Sequence, residues 1–127
     1  MIISSIVGLT LLLALSIFQI FLIAGKPWGE FAWGGQHKVL PKKLRIGSIT
    51  SIFLYIIFGI FLASKAGLIT LIPSQAIVDV GMWIITGYLI LGIFMNGISR
   101  SKKERFLMTP VALVLAIVFF FTALGGN

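Results

Sequence analysis

Residues 2–24 read IISSIVGLTLLLALSIFQIFLIA, a stretch without one charged side chain. An α-helix rises about 1.5 Å per residue, so about 20 residues cross a hydrocarbon layer about 30 Å thick. The stretch is long enough to span a bilayer, and it lacks the alternation of apolar and polar residues that a membrane strand needs. A cleaved leader has a basic start, a short apolar core and a small-residue cleavage site. Here Met1 to Ser5 hold no Lys or Arg, the run is longer than such a core, and the first positive charge follows it at Lys26. The segment is expected to remain as a membrane helix.

Working outward, three more runs of the same kind follow, near 46–64, 80–98 and 106–124. Arg45 and Lys65 bound the first, and Asp79 and Arg100 the second. Composition agrees. Of 127 residues, 59% are apolar and 10% charged, against about 45–50% and about 25% in a soluble domain. So few charges cannot cover a small soluble protein, whose surface is large for its volume. Within lipid a helix satisfies its own backbone groups. The expected fold is all-α: one polytopic domain over 1–127, a four-transmembrane-helix bundle. With no cysteine, disulfides and thiolate metal sites are excluded.

Charge placement orients the bundle. Lys26, Lys38, Lys42, Lys43 and Arg45 lie between the first two runs, and Arg100, Lys102, Lys103 and Arg105 between the last two. These two loops, 25–45 and 99–105, share one side and carry nine of the ten basic residues; Lys65 alone lies opposite. The positive-inside rule puts both loops in the cytoplasm and both termini outside. Topology accounts for the net charge of +7 without nucleic acid. Lys42, Lys43, Arg45, Arg100, Lys102, Lys103 and Arg105 are the expected contacts to anionic lipid headgroups. An offset of 60 aligns Arg45 with Arg105 and Phe61 with Phe121. The first and third runs break that offset, so a duplication has little support.

The first loop, GKPWGEFAWGGQHKVLPKKLR over 25–45, carries four glycines, two prolines and three aromatic residues. Glycine and proline forbid a regular helix across its first half, and tryptophan prefers the headgroup level. The loop should fold against the mouth of the bundle, with Trp28, Glu30, Trp33, Gln36 and His37 as a lid. Gly34-Gly35 should supply a turn, and Pro41 should open a second helix that starts below the membrane. The spacing Pro27-Trp28-Gly29, Trp33-Gly34-Gly35-Gln36-His37, Leu40-Pro41, Arg45 and Ser48 resembles a group of small four-span bacterial membrane proteins. The resemblance extends more weakly to residues 95–100 and to Thr109-Pro110. It implies a bacterial cytoplasmic membrane and the same four-span plan. It brings no activity, substrate or catalytic residue with it.

Candidate chemistry is sparse. The runs contain no Asp, Glu, Lys, Arg or His once the boundary residue Asp79 is set aside, whereas proton-coupled transporters keep a carboxylate or histidine at membrane depth. Asp79 reads as a carboxylate near a helix N-terminus, favoured by the dipole. His37 is the only histidine, and no spacing supplies the three or four ligands of a metal site; no metal or other cofactor is expected. Glu30 should pair with Arg45, Lys26 or Arg100. Enzymatic use of Glu30 and His37 would rest on their presence alone, without a motif.

Polar residues share a depth. Counting along the helices from the basic ends, Gln19 lies about 10 Å in, Ser51 about 9 Å, and Asn96 and Thr109 about 6 Å, with Ser48 nearby. They could form a polar vestibule open to the cytoplasm, or interhelical hydrogen bonds of about 0.6 kcal/mol each. The second reading is favoured. Small-residue pairs, Gly59/Ala63 and Ala112/Ala116, permit close helix contact within one chain or between copies. Ser101 with Glu104 matches a capping box, so the fourth helix should start after Ser101 and bend at Pro110. The leading functional expectation is a non-catalytic accessory or scaffold protein that recognises lipid, a partner membrane protein or a second copy. A small oligomeric channel or transporter comes second and an enzyme third.

Overall fold

A computed structural model describes residues 2–125. Four helices are each long and apolar enough to cross a membrane: α1 (Ile2–Ile23), α2 (Lys42–Lys65), α3 (Gln75–Gly97) and α4 (Lys102–Ala123). No strand occurs among the described residues. α1 pairs with α2 and α3 with α4, and the two hairpins close through α1 on α4 and α2 on α3.

The helix limits follow local chemistry. α2 starts at Lys42 behind Pro41, which presets an extended entry. α3 begins five residues before the expected span, because the Ser74 hydroxyl caps it by accepting from the Ile77 N–H at 3.3 Å. Asp79 is therefore a turn inside the helix instead of at its start. Its Oδ1 accepts from Lys65 Nζ at 2.5 Å and from Gln75 Nε2 at 2.9 Å, joining the two hairpins at the end away from the basic loops. α4 starts after Ser101 and runs through Pro110, as the capping box implied. Only half of that box forms. The Ser101 hydroxyl accepts from the Glu104 N–H at 3.2 Å, but the Ser101 N–H turns to the Ser99 hydroxyl, and the Glu104 carboxylate goes elsewhere.

Apolar side chains occupy both the inside and the outside. Leu12, Phe58, Leu62, Met82, Leu115 and Phe119 form the core, with Leu62, Met82 and Phe119 wholly covered. Phe58 is the hub of edge-on aromatic contacts to Tyr88 at 5.5 Å and to Phe119 at 6.4 Å. Ile3, Phe53, Ile84, Leu91 and Phe94 face outward and stand more than half exposed. Small residues let the helices close. A Cβ on Gly8 would fall 2.7 Å from Leu62 and 2.9 Å from Val118, and one on Gly81 would collide with the Phe61 ring. Ala63, Ala112 and Ala116 are buried within the bundle. By contrast, a Cβ on Gly87, Gly92 or Gly97 would meet nothing within 4 Å.

Candidate functional site

The site is built from the first loop upward. Two short 3₁₀ turns, Gly29–Phe31 and Trp33–Gly35, fold residues 24–41 over the bundle end formed by the start of α4. Leu22, Ala32 and Leu40 form a small second core beneath them, with Phe18 and Leu44 against it. The Gly29 N–H donates to the Lys38 carbonyl at 2.7 Å, and a Cβ on Gly29 would run into the His37 carbonyl. Gly34 and Gly35 have φ of +78° and +72°, so the expected glycine turn is real.

Trp33 is the fixed point of this cap. Its backbone is left-handed, with φ +53°, a conformation that costs about 1–2 kcal/mol in a residue with a Cβ. Three contacts hold it there. The indole ring lies against Gly47, where a Cβ would come within 2.8 Å of it. The indole N–H donates to the Ser48 hydroxyl at 3.2 Å, and the next residue's N–H, on Gly34, donates to Glu104 Oε1 at 3.3 Å. The Ser99 hydroxyl also donates to Glu104 Oε1, and the Ser101 hydroxyl to the Glu30 carbonyl at 2.5 Å. Both basic loops are thus stitched together. Arg45 and Arg105, matched by the offset of 60, behave alike: Arg45 Nε donates to the Leu40 carbonyl at 2.7 Å and an Arg105 Nη to the Ser99 carbonyl at 3.3 Å.

Under the cap lies a cavity of about 210 Å³ between all four helices, with Phe31, Ala32 and Trp33 as its roof. Gln19, Tyr55, Tyr88, Asn96 and Glu104 are its polar lining, Phe18 lines it near the cap, and Phe58, Leu89 and Leu115 contribute an apolar floor. Gln19 Oε1 is buried without a hydrogen-bond partner. Asn96 Nδ2 donates to the Gly92 carbonyl of its own helix at 2.9 Å. The floor is continuous with the packed core, to which Phe58, Leu89 and Leu115 belong.

Of the expected vestibule, Gln19 and Asn96 meet in this cavity, but Ser48, Ser51 and Thr109 do not line it. Ser48 is wholly buried beneath Trp33. Ser51 donates to the Gly47 carbonyl, and Thr109 Oγ1 is buried without a partner. Within the expected lid, Trp33 serves as roof. Trp28 packs edge-on against Phe21 at 5.0 Å, and Gln36 and His37 are exposed. Of the basic residues, Lys42, Lys43, Arg100, Lys102 and Lys103 are exposed, and Arg45 and Arg105 half-buried. Arg100, Lys102 and Lys103 border a shallow hollow with Gly35, Gln36 and Ser101.

Glu30 does not pair with Arg45, Lys26 or Arg100. It binds Lys103 at 2.5 Å and lies 3.9 Å from Lys38, because Ser101 draws the turn carrying Glu30 onto α4. Lys103, through its hydrogen bond and then its charge, holds the Glu30 carboxyl below the usual glutamate range, with Lys38 adding to this against a small opposing desolvation. The folded state therefore binds fewer protons here than the unfolded chain. The contribution to stability is complete above an ordinary glutamate pKa of about 4.3 and is lost as pH falls through the depressed folded value. Acidification below about pH 4 should loosen the loop, producing a step in tryptophan fluorescence that Glu30→Gln removes. An unaltered step in that variant would show that Glu30 does not control the loop.

Glu104 and the two tyrosines are the residues that sequence reasoning missed. Glu104 is 8% exposed and has no ion pair among the described residues. It is the only acidic residue in a loop-and-helix start crowded with bases, and that oddity was the available signal. Among the described residues no group of three or more His, Cys, Asp or Glu is placed to hold a metal ion. Comparison with protein-family models, curated proteins and solved structures finds no match to this chain.

Proposed function

We propose that the chain is a four-span integral membrane protein of the bacterial cytoplasmic membrane, with both basic loops inside and both termini outside. Its role is non-catalytic and accessory: the basic end holds anionic lipid headgroups and presents the stitched cap to a partner membrane protein or a second copy. The supporting observation is the gathering of nine of the ten Lys and Arg residues at one end of a bundle whose outer surface is aliphatic and aromatic. Each basic residue near an anionic surface contributes about 1 kcal/mol. Lys42, Lys43, Arg100 and Lys102 are free of ion pairs among the described residues and point to this task.

The test is native mass spectrometry of protein released from mixed phosphatidylcholine and phosphatidylglycerol membranes. The wild type should retain phosphatidylglycerol, and replacing those four residues by glutamine should weaken its retention tenfold or more, on the order of 1 kcal/mol per site. Equal retention of both lipids by both proteins would contradict the reading.

A channel or transporter is the second reading, favoured by Gln19 and Asn96 meeting in one cavity. It requires the packed core below the cavity to open or several copies to surround a path. Gln19→Leu with Asn96→Leu should abolish transport under that reading and leave lipid and partner binding intact under the first.

A further inference from the structure

Glu104 is a carboxylate with a task larger than capping. It is buried at the rim of the cavity, and both of its hydrogen bonds, from the Ser99 hydroxyl and the Gly34 N–H, fall on Oε1. Oε2 takes none among the described residues. The positive end of α4 offsets part of the cost of burying this charge. A buried carboxylate ordinarily also has a cation. Four basic residues flank it in sequence, yet Arg105 is turned to the Ser99 carbonyl, Lys103 to Glu30, and Arg100 and Lys102 to solvent.

The rest of the cavity is suited to the missing partner. Gln19 Oε1, on a residue only 7% exposed, is an unused acceptor in the same space. Phe31, Trp33 and Tyr55 surround the same volume, and aromatic faces attract cations as carboxylates do. The far wall is apolar. We infer that the cavity binds a small amphipathic ammonium ion, its charged head at Glu104 and Gln19 under the Trp33 roof and its apolar body toward Phe58 and Leu115. A volume of about 210 Å³ admits an aryl-alkyl amine, or the headgroup of an aminolipid entering from the membrane. The binding chemistry is shared; the source is a matter for experiment.

The experiment uses the full chain in dodecyl maltoside, a neutral detergent without an amine. Binding of 2-phenylethylammonium is followed by tryptophan fluorescence and by equilibrium dialysis, beside its near-isostere 2-phenylethanol. The ammonium should bind at least about tenfold more tightly, the ratio a charge-assisted hydrogen bond supplies. Glu104→Gln keeps an acceptor for Gly34 and should erase the preference. Gly92→Leu leaves the carboxylate and its latch untouched and fills open space beside Asn96; it should abolish saturable binding of both compounds.

Equal affinities in the wild type, or no saturable binding up to millimolar concentration, would overturn the inference. So would an undiminished preference in Glu104→Gln, or undiminished binding in Gly92→Leu should the first variant fail to fold. Adding phosphatidylethanolamine, with phosphatidylglycerol as control, then assigns the source: competition identifies a lipid amine, and its absence a free one.

Discussion

Gly35→Ala is expected to lift the first loop off α4. A Cβ at this position would collide with Ser101 Cβ, sit 2.7 Å from the Ser101 hydroxyl and crowd the Glu30 carbonyl at 3.0 Å. The backbone, at φ +72°, would carry left-handed strain in addition. Strain of about 1–2 kcal/mol and overpacking of about 1–3 kcal/mol give a combined loss of about 2–5 kcal/mol. The loss falls on contacts that close the cap, since Ser101 donates to Glu30 and Gly34 to Glu104. Acrylamide should quench the loop tryptophans more strongly in the variant, and unfolding in mixed micelles should move to lower denaturant. Gly34→Ala separates the two effects, because a Cβ there meets nothing within 4 Å and only the backbone strain remains. Equal behaviour of the two variants would mean that Ser101 is not the clasp.

Phe119→Ala should be the most destabilising change in the bundle. The ring is wholly buried and leans on Phe58 at 6.4 Å. Lipid removes most of the solvent-transfer part of its value, since acyl chains are as apolar as the core. The void and the lost dispersion contacts remain, at about 24 cal/mol per Å³ of cavity, which amounts to about 2–3 kcal/mol for a missing phenyl group. Phe120→Ala provides the contrast. That ring is 39% exposed and touches Trp83 and Phe121 near the surface, so its loss should cost under about 1 kcal/mol. Comparable losses for the two would show that α4 does not present the face described.

The four helices were legible because a membrane span depends on length and apolarity alone, both properties of consecutive residues. The start of α4 was legible too, through Ser101 and Glu104. The early start of α3 was not, since Gln75 and Ala76 look like connection until Ser74 is seen to cap them. Depth along each helix placed Gln19 and Asn96 at one level, but depth carries no direction. The same count included Thr109, which the helical rotation turns away from the cavity, and Ser51, which shares the helix face of Tyr55 and Phe58 but lies a turn nearer the cap. Glu104 was hidden for a related reason. A capping-box carboxylate normally returns to its own helix, and only the fold of a loop some seventy positions away supplies Gly34 as a rival donor. The Lys65–Asp79 pair also lies beyond local pattern, though these are the only two charged side chains at their end of the bundle among the described residues.

Single-cysteine accessibility in intact cells tests the central claim, a loop folded as a roof on the cytoplasmic end of four spans. The chain has no cysteine of its own, so Ala32→Cys, Gln36→Cys and Thr70→Cys can each be labelled alone. An impermeant maleimide should mark Thr70→Cys from outside and leave Gln36→Cys until the cytoplasmic face is opened. Ala32→Cys, only four residues from Gln36 and 8% exposed, should then remain protected. Labelling of Gln36→Cys from outside would invert the topology, and equal labelling of Ala32→Cys and Gln36→Cys would leave no roof over the cavity.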